Sequence, residues 1–277
     1  MQNRRGFLKT SSLLGTSTLL GLGIVVPELV PGSALGRDGK PAPSERITMG
    51  VIGCGSHAGW NINLMLRNKE QQIVALCDVD QDHLARKKKM VDTYYGKENG
   101  REYSVDTFHD FRELLRRKDI DAVDIITQDQ WHVLMAVTAM KAGKDVICEK
   151  PTFTIEQGQI LVETQKKTGR VFLTASQNRT VDTNQFLVNV VRNGLIGKLK
   201  HVKVLLPYRE KSREKRSFKP CPIPKTLDFD MWTGPSDILP YIPAISHISW
   251  RHNLAYSGGV LPDWGAHYVN MATWAID

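Results

Sequence analysis

The sequence predicts an α/β chain: a Rossmann-type, doubly wound parallel sheet followed by a smaller α+β domain. Three observations carry this. Short apolar runs alternate with helical patterns between residues 47 and 174, a glycine-rich turn joins the first run to the first helix, and the second run ends on an acidic residue. Alternating β and α units imply parallel strands covered by helices on both faces, with ligands bound beyond the carboxyl ends of the strands.

The first strand is Ile47-Thr-Met-Gly-Val-Ile52, apolar enough to be buried on both faces. It runs into Gly53-Cys54-Gly55-Ser56-His57-Ala58, and a helical pattern with Ile62, Leu64 and Leu66 follows. Gly53 permits the tight turn out of the strand. Gly55 lets the backbone approach a pyrophosphate, and Ala58 is the small residue that lets helix pack on strand. The helix offers unpaired N–H groups and its positive dipole end to phosphates. Ser56 and His57, at the start of that helix, belong to the same binding turn; His57 reads as a first-turn surface residue rather than a catalyst. The second strand, Gln72-Ile-Val-Ala-Leu-Cys-Asp78, places Asp78 25 positions after Gly53, near the spacing of about 20 at which an acidic residue meets the ribose hydroxyls. A carboxylate there repels a 2′-phosphate, so NAD is expected in preference to NADP. Asp80 reads as the cap of the next helix.

The alternation continues through a strand at residues 122–127, a helix at 133–142 ended by Gly143, a strand at 145–148, a helix at 155–168 and a strand at 171–174. Thr127 and Glu149-Lys150-Pro151 fall at strand carboxyl ends, with His132 close behind Thr127; Asn178 and Arg179 follow the last strand at the edge of the same site. Trp131 fits either a lid or the packing of a helix start.

The composition is that of an ordinary globular protein, 41% apolar and 24% charged over 277 residues. The net charge of +8 is scattered. Its densest runs, Arg86-Lys87-Lys88-Lys89 and residues 209–219, come without aromatic ladders or groove-reading motifs, so no nucleic-acid partner is expected. Cys54, Cys77, Cys148 and Cys221 show neither C-x-x-C nor zinc spacing, and neither a disulfide framework nor a metal site is expected. Residues 1–34 read as an export signal: Arg4-Arg5-Gly6-Phe7-Leu8-Lys9, a soft apolar stretch, then small residues. The paired arginines resemble a twin-arginine leader, which serves proteins folded before export. This leads to an expected periplasmic location, with an uncleaved anchor as the alternative and no other membrane contact. Residues 35–44 form a Gly/Pro-rich linker, and the domains are read as 45–175 and 176–277.

Several segments together resemble the glucose–fructose oxidoreductase, inositol dehydrogenase and MocA (Gfo/Idh/MocA) family. They are Gly53-Cys-Gly55, Ala142-Gly-Lys-Asp-Val-Ile-Cys-Glu149-Lys150-Pro151, Asn193-Gly-Leu-Ile-Gly-Lys198, Phe229-Asp-Met-Trp-Thr-Gly-Pro235 and Gly258-Gly-Val-Leu-Pro-Asp263-Trp-Gly-Ala-His267. The likeness covers residues 45–277, and the leader and the Trp-x-Gly-Pro segment look most like its exported branch. The resemblance implies that Lys150 contacts the substrate hydroxyl and the nicotinamide ribose, that Asp263 and His267 are the Asp-x-x-x-His pair with the histidine as general base, and that Glu149 and His132 lie near the cofactor. At His132 the family's Thr-Pro is replaced by Thr127-Gln128. It also implies a second domain with an open, mostly antiparallel sheet and a homo-oligomeric full-length form. In this chain only residues 201–206 read as a strand after Ala175, and apolar periodicity still runs at Asp277, so that domain is expected to be C-terminally truncated.

The chemistry agrees with these roles. Oxidising a carbinol removes a hydride and a proton, and histidine titrates in the right range to take the proton. Residues 263 and 267 share one face of a helix expected over 263–274, so Asp263 can orient or electrostatically support the imidazole. Lys150 stabilises a developing alkoxide. The expected function is NAD-dependent oxidation or reduction of a sugar, inositol or related polyol. The alternatives are an NAD-retaining glycoside hydrolase or lyase that uses transient oxidation, and a cofactor-binding but inactive chain.

Overall fold

In the computed structural model, residues 41–150, 152–206, 218–247 and 249–276 are described, and Pro43–Asp277 forms one compact unit. The segment expected to be an export signal and most of the expected linker lie outside the described residues, as does Pro151.

Six parallel strands make the sheet. In chain order they are β1 (Ile47–Ile52), β2 (Gln71–Cys77), β3 (Asp106–Phe108), β4 (Ala122–Ile125), β5 (Asp145–Cys148) and β6 (Phe172–Thr174), and they lie side by side as β3-β2-β1-β4-β5-β6. The order reverses at β1, where β2 lies on one side and β4 on the other, and this switch point is where a doubly wound sheet opens its crevice. Helices α1 (Ala58–Arg67) and α2 (Gln81–Asn99) cover one face, and α3 (Phe111–Leu115), α4 (Asp129–Lys141) and α5 (Ile155–Thr168) the other.

Strand alternation sorts the core into those two layers. Met49 and Val51 of β1 join Ala58, Ile62 and Val91 on one face. Ile52 joins Phe111, Leu114, Ala136 and Leu161 on the other. Gly50 makes room on that second face, since a Cβ there would come 2.8 Å from the Leu114 side chain. The helix starts are fixed by side-chain caps that satisfy otherwise unpaired N–H groups. Asp80 accepts from the N–H of Asp82 and His83, Asp110 from Arg112, and Thr154 from Gln157. The reading of Asp80 as a cap is therefore correct.

Beyond the sheet, α6 (Asp182–Arg192) packs against α8 (Val260–Ile276), while α7 (Phe229–Thr233) heads an aromatic cluster of Phe229, Trp232, Tyr241, Trp250 and Tyr256. Two expectations change here. Residues 201–206 form no strand, and among the described residues there is no second sheet. The alternation of Val202, Val204 and Leu206 favours extended backbone, but a strand is stabilised by cross-strand pairs and no described segment pairs with this one. The helix expected from 263 begins three residues earlier, at Val260.

Candidate functional site

A cavity of about 690 Å³ opens at the carboxyl ends of the central strands and is bounded on the far side by α7 and α8. The glycine turn forms its floor. Gly53 has φ +96°, and a Cβ there would lie 2.3 Å from the Ile126 carbonyl oxygen, so this turn is closed to other residues. At Gly55 an added Cβ would meet no atom within 4 Å. The two glycines thus differ: Gly53 is required by the protein's own packing, whereas Gly55 faces open space in the cavity. Ala58 is fully buried between α1 and β1. The start of α1 has no side-chain cap, which leaves its first turn available to an anion. Free space over Gly55, an uncapped helix start and an acidic β2 terminus fit a dinucleotide.

Asp78 is drawn toward the turn. Its Oδ2 accepts from Cys54 N at 2.5 Å and its Oδ1 from Asp80 N at 2.8 Å. Burial raises its pKa to about 6, with these two N–H bonds acting in the opposite direction. Thr127 and His132 line the wall opposite. His132 is buried, and its Nε2 lies 3.2 Å from the Thr127 carbonyl oxygen. Because a carbonyl only accepts, that nitrogen carries the proton. Trp131 is packing rather than a lid: its Nε1 donates to the carbonyls of Met231 and Trp232, and its ring fills the space beside Gly234, where a Cβ would come within 2.2 Å.

Glu149 and Lys150 leave β5 in different directions. Glu149 turns inward to a polar group: His57 Nε2 lies 3.0 Å from its Oε1, and Gln177 and Asn61 donate to the same oxygen at 2.6 and 3.4 Å. Burial would raise its pKa, but the hydrogen bond and charge of His57, with help from Asn61 and Lys150, bring it below the ordinary value. His57 therefore faces Glu149. Asn61 also donates to Asp124, a strand carboxylate whose pKa burial lifts to about 7.

Lys150 points to α8. Its Nζ lies 2.5 Å from Asp263 Oδ1 and 2.9 Å from the Asp263 carbonyl oxygen, while Arg251 Nε is 3.3 Å from Oδ2. The Asp263 carboxylate thus holds two cations, and it acts on His267 through charge; the expectation that it orients the imidazole gives way to a role in placing Lys150. His267 lines the cavity, with its Nδ1 buried and without a hydrogen-bond partner. Its pKa is lowered by burial first and by Lys150 next. Asp129, at the start of α4, accepts from Ser257 Oγ at 2.7 Å, and Ser257 Oγ accepts from Gly259 N at 3.1 Å. This fixes the Gly258-Gly259 turn that delivers Asp263.

Asn178 and Arg179 are not brought to the cavity. Arg179 donates to Asn270 Oδ1 at 2.7 Å and stacks over Trp274, on the side where α6 meets α8. Sequence reasoning missed Asn61, Asp124, Asp129, Arg251 and Ser257. For two of them a signal existed. Asn61 shares the i, i+3, i+4, i+7 face with buried Ala58, Ile62 and Met65, and Asp124 interrupts an apolar strand. The other three meet only through the tertiary fold.

The fold and the cavity define a dinucleotide-binding α/β oxidoreductase scaffold. The family model described as "Oxidoreductase family, NAD-binding Rossmann fold" matches residues 47–176, and that described as "Oxidoreductase family, C-terminal alpha/beta domain" matches residues 183–277. The chain belongs to the Gfo/Idh/MocA oxidoreductase family and carries its NAD-binding domain. Among curated proteins it is similar to a "Glycosyl hydrolase family 109 protein" of Solibacter usitatus, 35% identical over 205 residues, covering 72% of this chain and 44% of that protein. It is also similar to an "Alpha-N-acetylgalactosaminidase" of Shewanella oneidensis, 27% identical over 213 residues with the same coverage. The chain spans less than half the length of these relatives. Among solved structures, the WlbA dehydrogenase from Bordetella pertussis in complex with NADH and UDP-GlcNAcA superposes with a TM-score of 0.61 at 20% identity, covering 85% of this chain and 57% of that one. At that identity the likeness shows the fold.

Proposed function

We propose that this chain carries out NAD-dependent oxidation or reduction at a CH–OH carbon of a sugar or polyol. The observation that carries the proposal is one cavity containing the glycine turn at one end and Lys150, Asp263 and His267 at the other. Gly53, Gly55, Ser56, Ala58 and Asp78 would hold the dinucleotide, with Thr127, His132 and Glu149 beside it. Bound there, the nicotinamide supplies a reversible hydride acceptor.

The remaining chemistry belongs to side chains. Lys150, fixed by Asp263, holds the substrate oxygen and stabilises negative charge developing on it. His267, kept neutral by burial and by the lysine charge, removes the hydroxyl proton at an imidazole nitrogen. Asp263 is a positioning residue in this scheme. A carboxylate at the position of Asp78 favours NAD over NADP. The leader at residues 1–34 supports export of the folded, cofactor-loaded protein.

A second reading is favoured by the names of the curated relatives, which are glycosyl hydrolases. Oxidation of a sugar carbinol acidifies the neighbouring C–H. A base can then remove that proton while the glycosidic oxygen leaves, and reduction after water addition restores the sugar. The same residues serve both readings. Purified protein incubated with NAD, a polyol panel and an aryl N-acetylgalactosaminide separates them. Stoichiometric NADH from a polyol supports the first, and release of the aryl alcohol without net NADH supports the second. Neither product, from folded protein that binds NAD, contradicts both.

A further inference from the structure

At the rim of the cavity, next to Asp78, three potential ligands converge from two parts of the chain. Asp80 caps α2, His83 lies in its first turn, and His247 arrives from the segment after α7. One ligand atom from each lies within 4.8 Å of the other two. The Asp80 carboxylate is divided between two tasks. Its Oδ1 accepts from Asp82 N at 2.9 Å and His83 N at 3.1 Å, which turns Oδ2 toward the imidazoles.

The distances across this group are informative. Oδ2 is 3.8 Å from His83 Nε2 and 3.7 Å from His247 Nε2. Both exceed hydrogen-bond length, and each is close to the separation of two ligands on one ion with bonds of about 2.0–2.2 Å. The two rings lie edge to face at 5.0 Å between centroids. His247 has φ +51°, the sole non-glycine residue with positive φ among the described residues, a conformation that costs energy and is found where surroundings enforce it. Asp78 and Asp82 supply negative charge nearby.

We propose that Asp80, His83 and His247 bind a divalent ion of the zinc class, with the remaining coordination position open to the cavity. Two imidazoles and one carboxylate with an open position are a recognised zinc ligand set. The ion would fasten the segment carrying His247 to the start of α2 across the cavity rim, reinforcing the apolar cluster of Tyr241, Trp250 and Tyr256 that packs against Val79.

The test uses untagged full-length protein freed of metal by chelation, titrated calorimetrically with Zn(II) and optically with Co(II). The expected result is one ion per chain, visible Co(II) ligand-field bands, and a rise in Tm on adding Zn(II). His83→Ala and His247→Ala should each weaken binding beyond the roughly 10–100-fold produced by losing an outer-sphere partner. Asp80→Asn guards against misfolding, because asparagine caps a helix about as well as aspartate while replacing the Oδ2 ligand; its metal-free Tm should match the parent and its Zn(II) affinity should fall. Failure to bind one equivalent, or undiminished binding by the folded Asp80→Asn and His83→Ala proteins, would overturn the proposal.

Discussion

Lys150 places its ammonium against two oxygens of one residue, the carboxylate and the backbone carbonyl of Asp263, at 2.5 and 2.9 Å. That residue begins the arm of α8 that carries His267 one turn later, so a single contact ties the end of β5 to the helix bearing the proposed base. Both side chains are about nine-tenths buried. Removing one partner of such a pair leaves the other charge uncompensated, which costs about 3–5 kcal/mol. Asp263→Asn should therefore lower the Tm and reduce kcat by about 100-fold, while the Kd for NAD changes little. A kcat close to the parent value would remove Asp263 from the machinery.

The glycine turn makes a paired prediction. Gly53→Ala forces a methyl to 2.3 Å from the Ile126 carbonyl at a positive φ, so the chain should be destabilised by several kcal/mol, as expected for backbone strain combined with overpacking. Gly55→Val adds a side chain to empty space and should leave the Tm nearly unchanged while weakening NAD at least about 10-fold. Thermal denaturation and calorimetry on the two variants check both. Equal loss of stability in the pair would contradict the division of labour between these glycines.

Asp124 makes stability depend on pH. Its folded pKa, raised by burial to about 7, lies above the ordinary value of 3.8. The stabilisation associated with its protonated form is full below the unfolded value and is lost as pH rises through about 7. Asp124→Asn removes that loss. Its Tm should exceed the parent's at about pH 8.5, by roughly 2–4 °C per kcal/mol relieved, and the excess should shrink progressively as pH falls from about 7 toward the ordinary value of 3.8. A constant offset across that range would contradict the assignment.

His267 has its pKa lowered from 6.5, by burial and then by Lys150. As a base it must be neutral, so turnover should fall only as pH drops below about 6.5. The same shift works on stability in the opposite sense to Asp124: it costs stability at low pH, and the cost disappears as pH rises through the ordinary value. In Lys150→Met the imidazole should titrate at higher pH, as followed by NMR. An unchanged or lower titration point would contradict the coupling of these two residues.

Much of the Rossmann unit could be read from the chain because its signals are local. Apolar runs, the Gly53–Ala58 turn and the acidic end of β2 sit within 32 residues of each other, and the helix over Ile155–Thr168 appears where its pattern places it. Lys150 and His267 were legible through short motifs. Their partners were not. Asp263 reads as the natural supporter of a histidine four residues on, but the cations that engage it come from positions 150 and 251. Arg179 looked like a site residue because it follows the last strand, yet the direction of the following turn sends it to Asn270. Residues 201–206 show that alternation alone does not make a strand, because pairing is supplied by other parts of a fold.

In the proposed reaction Lys150 and His267 act on a substrate whose hydride passes to a dinucleotide held by the glycine turn. Single-turnover NADH absorbance with saturating NAD and the best substrate tests it most directly, comparing the parent with Lys150→Met and His267→Ala after calorimetry has shown that all three bind NAD. A fall of about 100-fold or more in the rate of NADH formation in both variants is the predicted result. Parental rates in either variant would exclude that residue from the hydride-transfer chemistry.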